Sequence, residues 1–130
     1  MSIKIGLKGR ADIVVDQNHT ALAACSGMLP VFATPYMCAL MEEACCNSIA
    51  SCFDKGESTV GSKLQISHIS ATPIGMRVWA ESEVTAVDGR RIVFKVRAYD
   101  EKGLIGEGVH ERFIVSNERF VEKAEKKKQI

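Results

Sequence analysis

The segment from residue 34 to residue 56 constrains the fold most, because almost no charge interrupts it. Thr34-Pro35 opens it with a good capping residue and a proline suited to the first helical turn. The charged side chains between residues 36 and 53 are Glu42 and Glu43, and Gly56 suits the left-handed position after a last turn. The pattern predicts a helix over residues 34–53 that is apolar on nearly all sides and therefore lies inside the protein.

Four alternating stretches follow and predict the strands that cover this helix. They span residues 59–72, 75–87, 90–100 and 104–116, with turns at Asp88-Gly89 and at residues 100–103. Residues 3–16 also alternate and predict a further strand, whereas residues 17–33 are interpreted as a connection. We therefore expect an α+β fold in which an antiparallel meander curls around one long central helix. Pairing two copies edge to edge would cover the open edge of the sheet, so we expect a homodimer and leave a tetramer open.

Composition limits the number of domains and the kinds of partner. The 130 residues suit a single domain spanning 1–130, with residues 118–130 as a charged, solvated tail. A net charge of +1 provides no general attraction to nucleic acid, and no apolar stretch suggests a membrane span, so we expect a cytoplasmic protein. Five cysteines without a C-x-x-C motif indicate reduced thiols, and we expect no metal or other cofactor. His19 and His110 suit the surface or a supporting position behind a site.

Four residues could carry chemistry, and each also has a structural explanation. Glu42, amid apolar residues, either faces a cavity or lies where the helix leaves the sheet. Thr34 either caps the helix or helps its N-terminus to bind an anionic oxygen. His68 shares a strand face with apolar residues from Val60 onwards and is either a core polar residue or a titrating group in a cleft. Gly61 either lets a carbonyl approach its N–H or marks a bulge.

A hydroxyl, a carboxylate and an imidazole on neighbouring elements would suit acyl transfer. The sequence around them resembles the fluoroacetyl-CoA-thioesterase-like branch of the hotdog-fold thioesterases over residues 31–120. The motifs that carry the resemblance stand in the family's order, without a gap between the threonine and the histidine. They are Val31-Phe32-Ala33-Thr34, Leu40-Met41-Glu42, Val60-Gly61, the strand that ends at His68, Asp88-Gly89-Arg90-Arg91 and His110-Glu111-Arg112.

The resemblance implies a hotdog dimer that hydrolyses an acyl-CoA thioester at sites on the subunit interface. It also implies that Thr34, Glu42 and His68 form the catalytic set. Gly61 would donate its N–H to the thioester carbonyl, and Arg112 would lie near the site. Fluoroacetate-specific members screen the acyl pocket with phenylalanines before the helix, whereas residues 25–30 here contain no aromatic side chain. The alternative is a hotdog protein that binds acyl-CoA or another small ligand without hydrolysing it.

Overall fold

The computed structural model describes residues 2–129 as one antiparallel sheet packed against a long helix. The elements are β1 (Lys8–Val14), α1 (Thr34–Ile49), β2 (Glu57–His68), β3 (Arg77–Asp88), β4 (Arg91–Asp100), β5 (Gly103–Ser116) and α2 (Asn117–Glu125). This is the predicted α+β architecture, with each strand within a few residues of its expected position. The turn between β3 and β4 is Gly89-Arg90, and Gly89 has a φ of +60°.

Helix α1 begins at Thr34 as predicted but ends at Ile49, four residues early. The residue that caps it is Ala33, and no side chain provides a capping hydrogen bond. The capping interpretation of Thr34 is therefore wrong, because Thr34 already lies within the first helical turn. The helix ends where the Cys52 N–H donates to the Ile49 carbonyl at 3.0 Å, so that residues 49–52 form a turn.

The strand order is β1-β3-β4-β5-β2, so the predicted four-strand meander is wrong for β2. Strand β2 lies outside β5 instead of beside β3, with Leu64 opposite His110 and His68 opposite Gly106. A Cβ added to Gly106 would lie 2.8 Å from the Ser67 carbonyl oxygen, so the missing side chain lets the two strands approach. The same glycine helped to blur the alternation of β5 in the sequence.

One face of α1 packs against the concave side of the sheet, and the other face is open. The core consists of apolar side chains from both layers, including Met37, Leu40, Met41, Ala44, Cys45 and Ile49 of the helix and Val78, Ala80, Val84, Ile92, Phe94, Val96 and Ala98 of the sheet. Pro35, Ala39 and Glu43 are exposed on the open face. The prediction of a helix enclosed on nearly all sides is wrong for one protomer, because a single sheet covers a single face.

The termini and cysteines complete the fold. All five cysteines are free, as expected, and Cys45 is fully buried against the sheet. All residues of α2, at the start of the charged tail, are exposed. Among residues 2–129, no helix has both the length and the hydropathy needed to cross a membrane.

Candidate active site

The first part of the candidate site is a hydrogen bond between Thr34 and His68, which we call the hydroxyl pair. Thr34 is the first residue of α1 and His68 is the last residue of β2. The Thr34 Oγ1 atom lies 2.7 Å from His68 Nδ1. The position of β2 therefore brings the His68 imidazole to the start of α1. There the Thr34 hydroxyl bonds to the imidazole instead of capping the helix.

His68 is held in a state that suits proton transfer. Burial lowers its pKa from the ordinary value of 6.5, so the imidazole is neutral at pH 7. Its Nε2 atom is buried and, within the described part of the chain, has no hydrogen-bond partner. The Phe32 ring packs edge-on at 6.5 Å between centroids. A neutral imidazole with one nitrogen unpaired can accept a proton or bind a ligand group.

A groove of about 300 Å³ opens beside the hydroxyl pair. The hydroxyl pair lines it together with Ala21, Ser26, Val31, Phe32, Ala33, Ile69, Ser70 and Ala71. Most of these side chains are small, so the groove offers room next to the Thr34 hydroxyl. A larger cavity lies elsewhere, between charged side chains of β1, β3 and β4, and contains none of the predicted site residues.

The second part of the candidate site surrounds Gly61, and we call Glu42, Gly61, His110 and Arg112 the carboxylate cluster. A Cβ built on Gly61 would lie 3.1 Å from Glu42 Oε2 and 3.2 Å from Arg112 Nη1. The absent side chain leaves a narrow space bordered by a carboxylate, a guanidinium and the Cε1 edge of His110, which is also at 3.2 Å. A substrate oxygen or a water molecule next to Gly61 would have a hydrogen-bond acceptor and a donor close by.

A β-bulge in β2 places Gly61 and His68 on the same face of the sheet. The pairing with β5 slips between Gly61 and Lys63, so Ser62 is an extra residue. Without the bulge, residues seven positions apart would face opposite sides of a strand. The sequence-based grouping of Val60 with His68 was wrong for this reason: Val60 lies opposite the half-exposed Phe113.

Arg112 is 8% exposed and is held from two sides. Its Nε donates to Thr59 Oγ1 at 2.8 Å, and Nη2 donates to the Thr59 carbonyl at 3.1 Å. Its Nη1 donates to His110 Nε2 at 3.1 Å. His110 is only 1% exposed, so a place on the surface is wrong, and the ring lies inside the protein against Arg112. Its spacing of two residues from Arg112 on one strand was the signal that both side chains face inward.

Within one protomer the structure does not bring all three proposed catalytic residues together. Thr34 contacts His68, whereas Glu42 lies beside Gly61 and His110, with 3.9 Å between Glu42 Oε2 and His110 Nε2. Thr34 and Glu42 are eight positions apart in α1, which is about 12 Å along the helix axis. The Glu42 side chain is 41% exposed, so in the protomer its carboxylate reaches solvent although its helix neighbours Met41 and Ala44 are buried.

The chemistry of these side chains is that of proton transfer and carbonyl polarisation. In the described chain, residues 2–129, no group of three or more histidine, cysteine or acidic residues is arranged to hold a metal ion. A hydroxyl, a neutral imidazole, a carboxylate and a fixed guanidinium are the groups that acyl-transfer sites use.

A curled antiparallel sheet packed on one long helix is the fold of the hotdog thioesterases. The chain belongs to the FlK family, described as fluoroacetyl-CoA-specific thioesterase, whose model matches residues 15–118. A fluoroacetyl-CoA thioesterase from Streptantibioticus cattleyicolor is 39% identical over 97 residues, which cover 75% of this chain and 70% of that protein.

Two solved structures agree with this placement. A structure of the fluoroacetyl-CoA thioesterase FlK has a TM-score of 0.93 and 32% identity, with 98% of each chain covered. A thioesterase superfamily member from Thermus thermophilus has a TM-score of 0.90 and 28% identity, with 98% of this chain and 95% of that chain covered.

Proposed function

We propose that this protein is an acyl-CoA thioesterase whose catalytic residues are Thr34, Glu42 and His68 and whose site is completed by two protomers. Thioester hydrolysis follows from its family and its thioesterase relatives. The observation that carries the finer proposal is the division of the site. The hydroxyl pair and the carboxylate cluster are each ordered, yet one protomer leaves about 12 Å of helix between them.

Antiparallel pairing of two β2 edges would join the two parts. Strand β2 is an edge of the sheet, and its Ser62, Lys63 and Gln65 are exposed. Gly61 and His68 lie on either side of its middle. In an antiparallel pair about a two-fold axis near Leu64, His68 of one protomer lies beside the partner subunit's Gly61. Each dimer then has two equivalent sites, and the unpaired edge is covered.

The residues have distinct roles in this proposal. The Gly61 N–H and the start of α1 polarise the thioester carbonyl, and Arg112 adds positive charge nearby. Thr34 and His68 transfer protons, and Glu42 either activates water or attacks the carbonyl itself. In either case the carbon–sulfur bond breaks, the sulfur leaves as the CoA thiol after protonation, and water supplies the second oxygen of the carboxylic acid.

The acyl group is proposed to be short without being restricted to fluoroacetyl. The groove beside the hydroxyl pair is lined by side chains such as Ala21, Ser26 and Ala71. Residues 25–30, which precede the helix, contain no aromatic ring that could screen it. A site of this kind discriminates acyl chains by length, because each additional methylene must fit in the same space.

A thiol-release assay across a panel of acyl-CoA esters tests the function. We expect turnover of short acyl-CoAs, and losses of at least about 100-fold for Thr34→Ala, Glu42→Ala and His68→Ala with the fold retained. Glu43→Ala is the matched control, because Glu43 is the exposed neighbour of Glu42 on the same helix. A thermal shift with CoA esters but no thiol release would instead support the binding protein, and full activity in all three variants would refute the catalytic set.

Mixing inactive variants tests whether two protomers share a site. A dimer of one Thr34→Ala chain and one Glu42→Ala chain contains one intact site if the two residues act across the interface. Random reassortment makes half of the dimers mixed, so activity should recover to about one quarter of the wild-type value. If both residues act within one protomer, every site in the mixture is damaged and no activity returns.

A further inference from the structure

We infer that His110, as a neutral imidazole protonated on Nδ1, is a positioning residue that aims the Arg112 guanidinium at the space above Gly61. This inference rests on the proposed function for its effect on catalysis, but the protonation state can be measured in the protein without substrate. His110 is the buried imidazole of the carboxylate cluster. Its Cε1 edge borders the space above Gly61 at 3.2 Å, and its two nitrogens bond to the Lys63 carbonyl and to Arg112.

The hydrogen bonds of His110 admit a single protonation state. Its Nδ1 lies 2.8 Å from the Lys63 carbonyl oxygen, and because a carbonyl can only accept, Nδ1 must carry the proton. Its Nε2 lies 3.1 Å from Arg112 Nη1, and because a guanidinium can only donate, Nε2 must present a lone pair. The Phe94 ring stacks on the imidazole at 6.1 Å and keeps it in this plane.

Two residues hold the Arg112 guanidinium. Thr59 holds Nε and Nη2, and His110 holds Nη1. Nη1 is the nitrogen that faces the space above Gly61, 3.2 Å from where a Cβ would stand. His110 therefore determines the direction of the one arginine nitrogen that a ligand oxygen at Gly61 would meet.

Protonation of His110 would remove this anchor. The charged side chains that act on the ring are Glu42 from α1 and Arg112 and Glu111 from β5; β2 contributes the Lys63 carbonyl, and β4 contributes the uncharged Phe94. Burial lowers the His110 pKa, the hydrogen bond to the Lys63 carbonyl opposes this, Arg112 lowers the pKa further, and the two glutamates raise it. In the imidazolium, an Nε2–H would point at the Arg112 N–H and would be drawn towards Glu42, 3.9 Å away. Arg112 would then lose its third partner.

Two conservative variants separate the two hydrogen bonds. His110→Asn places an amide near Nδ1, so it can keep the donor to Lys63 while the acceptor for Arg112 disappears. His110→Gln places an amide oxygen near Nε2, so it can keep that acceptor. We expect His110→Asn to lower kcat/KM by about tenfold at pH 8, and His110→Gln to recover most of that loss. Equal losses in the two variants would overturn the inference.

The dependence on Arg112 is tested by a double-mutant cycle. In an Arg112→Lys background the fork of donors is gone, so His110→Asn should cost much less than it does in the wild type. If His110 served only to fill space, the two losses would multiply. That result would overturn the positioning role even if both variants fold.

A ¹⁵N NMR spectrum of the histidine ring in the wild-type protein provides the measurement that does not depend on activity. We expect a pyrrole-type Nδ1 and a pyridine-type Nε2 for His110 at pH 7, assigned by the absence of these signals in His110→Asn. The opposite tautomer, or an imidazolium, would overturn the inference even in an active enzyme. If the spectrum is as expected but the wild type releases no thiol from any ester, the proposed function fails instead.

Discussion

The substitution Gly61→Ala tests the space between the carboxylate and the guanidinium directly. The added Cβ would lie 3.1 Å from Glu42 Oε2 and 3.2 Å from Arg112 Nη1, whereas ordinary contacts begin at 3.4 Å. The neighbours must therefore retreat by about 0.3 Å, and the 41%-exposed Glu42 side chain can do so. The expected loss of unfolding free energy is below about 1 kcal/mol.

The expected effect of Gly61→Ala on catalysis is much larger than its effect on stability. A methyl group in this space would displace a bound carbonyl by about 1 Å, and a misplacement of that size costs about 100-fold in rate. That factor corresponds to about 2.7 kcal/mol of transition-state stabilisation. The loss should appear in kcat/KM for thiol release, while the urea midpoint changes little.

The control for Gly61→Ala is Ser62→Ala on the same strand. Ser62 is exposed, and its hydroxyl donates to the Glu111 carbonyl at 3.2 Å, so its removal should leave both readouts nearly unchanged. The reasoning would be refuted if Gly61→Ala retained kcat/KM within about threefold of the wild type at unchanged stability. The space above Gly61 would then have no part in substrate binding.

Three further predictions concern the hydroxyl pair, the helix–sheet contact and pH. Thr34→Val removes the 2.7 Å hydrogen bond to His68 without changing side-chain size, so kcat should fall by about 100-fold. Thr34→Ser keeps the hydroxyl and should retain more activity, and equal losses in the two variants would argue against a role for the hydroxyl. Gly9→Ala would place a Cβ 2.8 Å from Ser48 Cβ and against the backbone of α1, so chemical denaturation should show a loss of about 1–3 kcal/mol in unfolding free energy. The Cβ of Gly27→Ala would meet only a side chain, at 3.3 Å, so this variant should lose less; the reverse order would contradict the packing. Burial lowers the pKa of His68 below 6.5, so the unfolded chain takes up a proton before the folded chain as pH falls, and the unfolding free energy should decrease below about pH 6.5. In urea titrations at pH 7.5 and 5.5, His68→Gln should show a smaller decrease than the wild type.

The sequence was most informative about local elements. An almost uncharged segment with a proline near its start predicts a helix whatever surrounds it, because both signals act within a few residues. The alternating stretches identified β2 to β5 for the same reason, and Asp88-Gly89 located the turn between β3 and β4 to within one residue. The site residues came from the resemblance to a family, since spacing alone left a structural explanation open for each of Thr34, Glu42, His68 and Gly61.

Local sequence signals therefore specify the elements and the chemical groups that they carry. The folded arrangement alone specifies that β2 joins β5, that a bulge at Ser62 turns Gly61 and His68 to one face, and that His110 holds Arg112. These features depend on contacts between residues far apart in the chain, such as the approach that Gly106 allows at Ser67. Periodicity describes neighbours along one strand, and it contains no information about which strand will lie beside it.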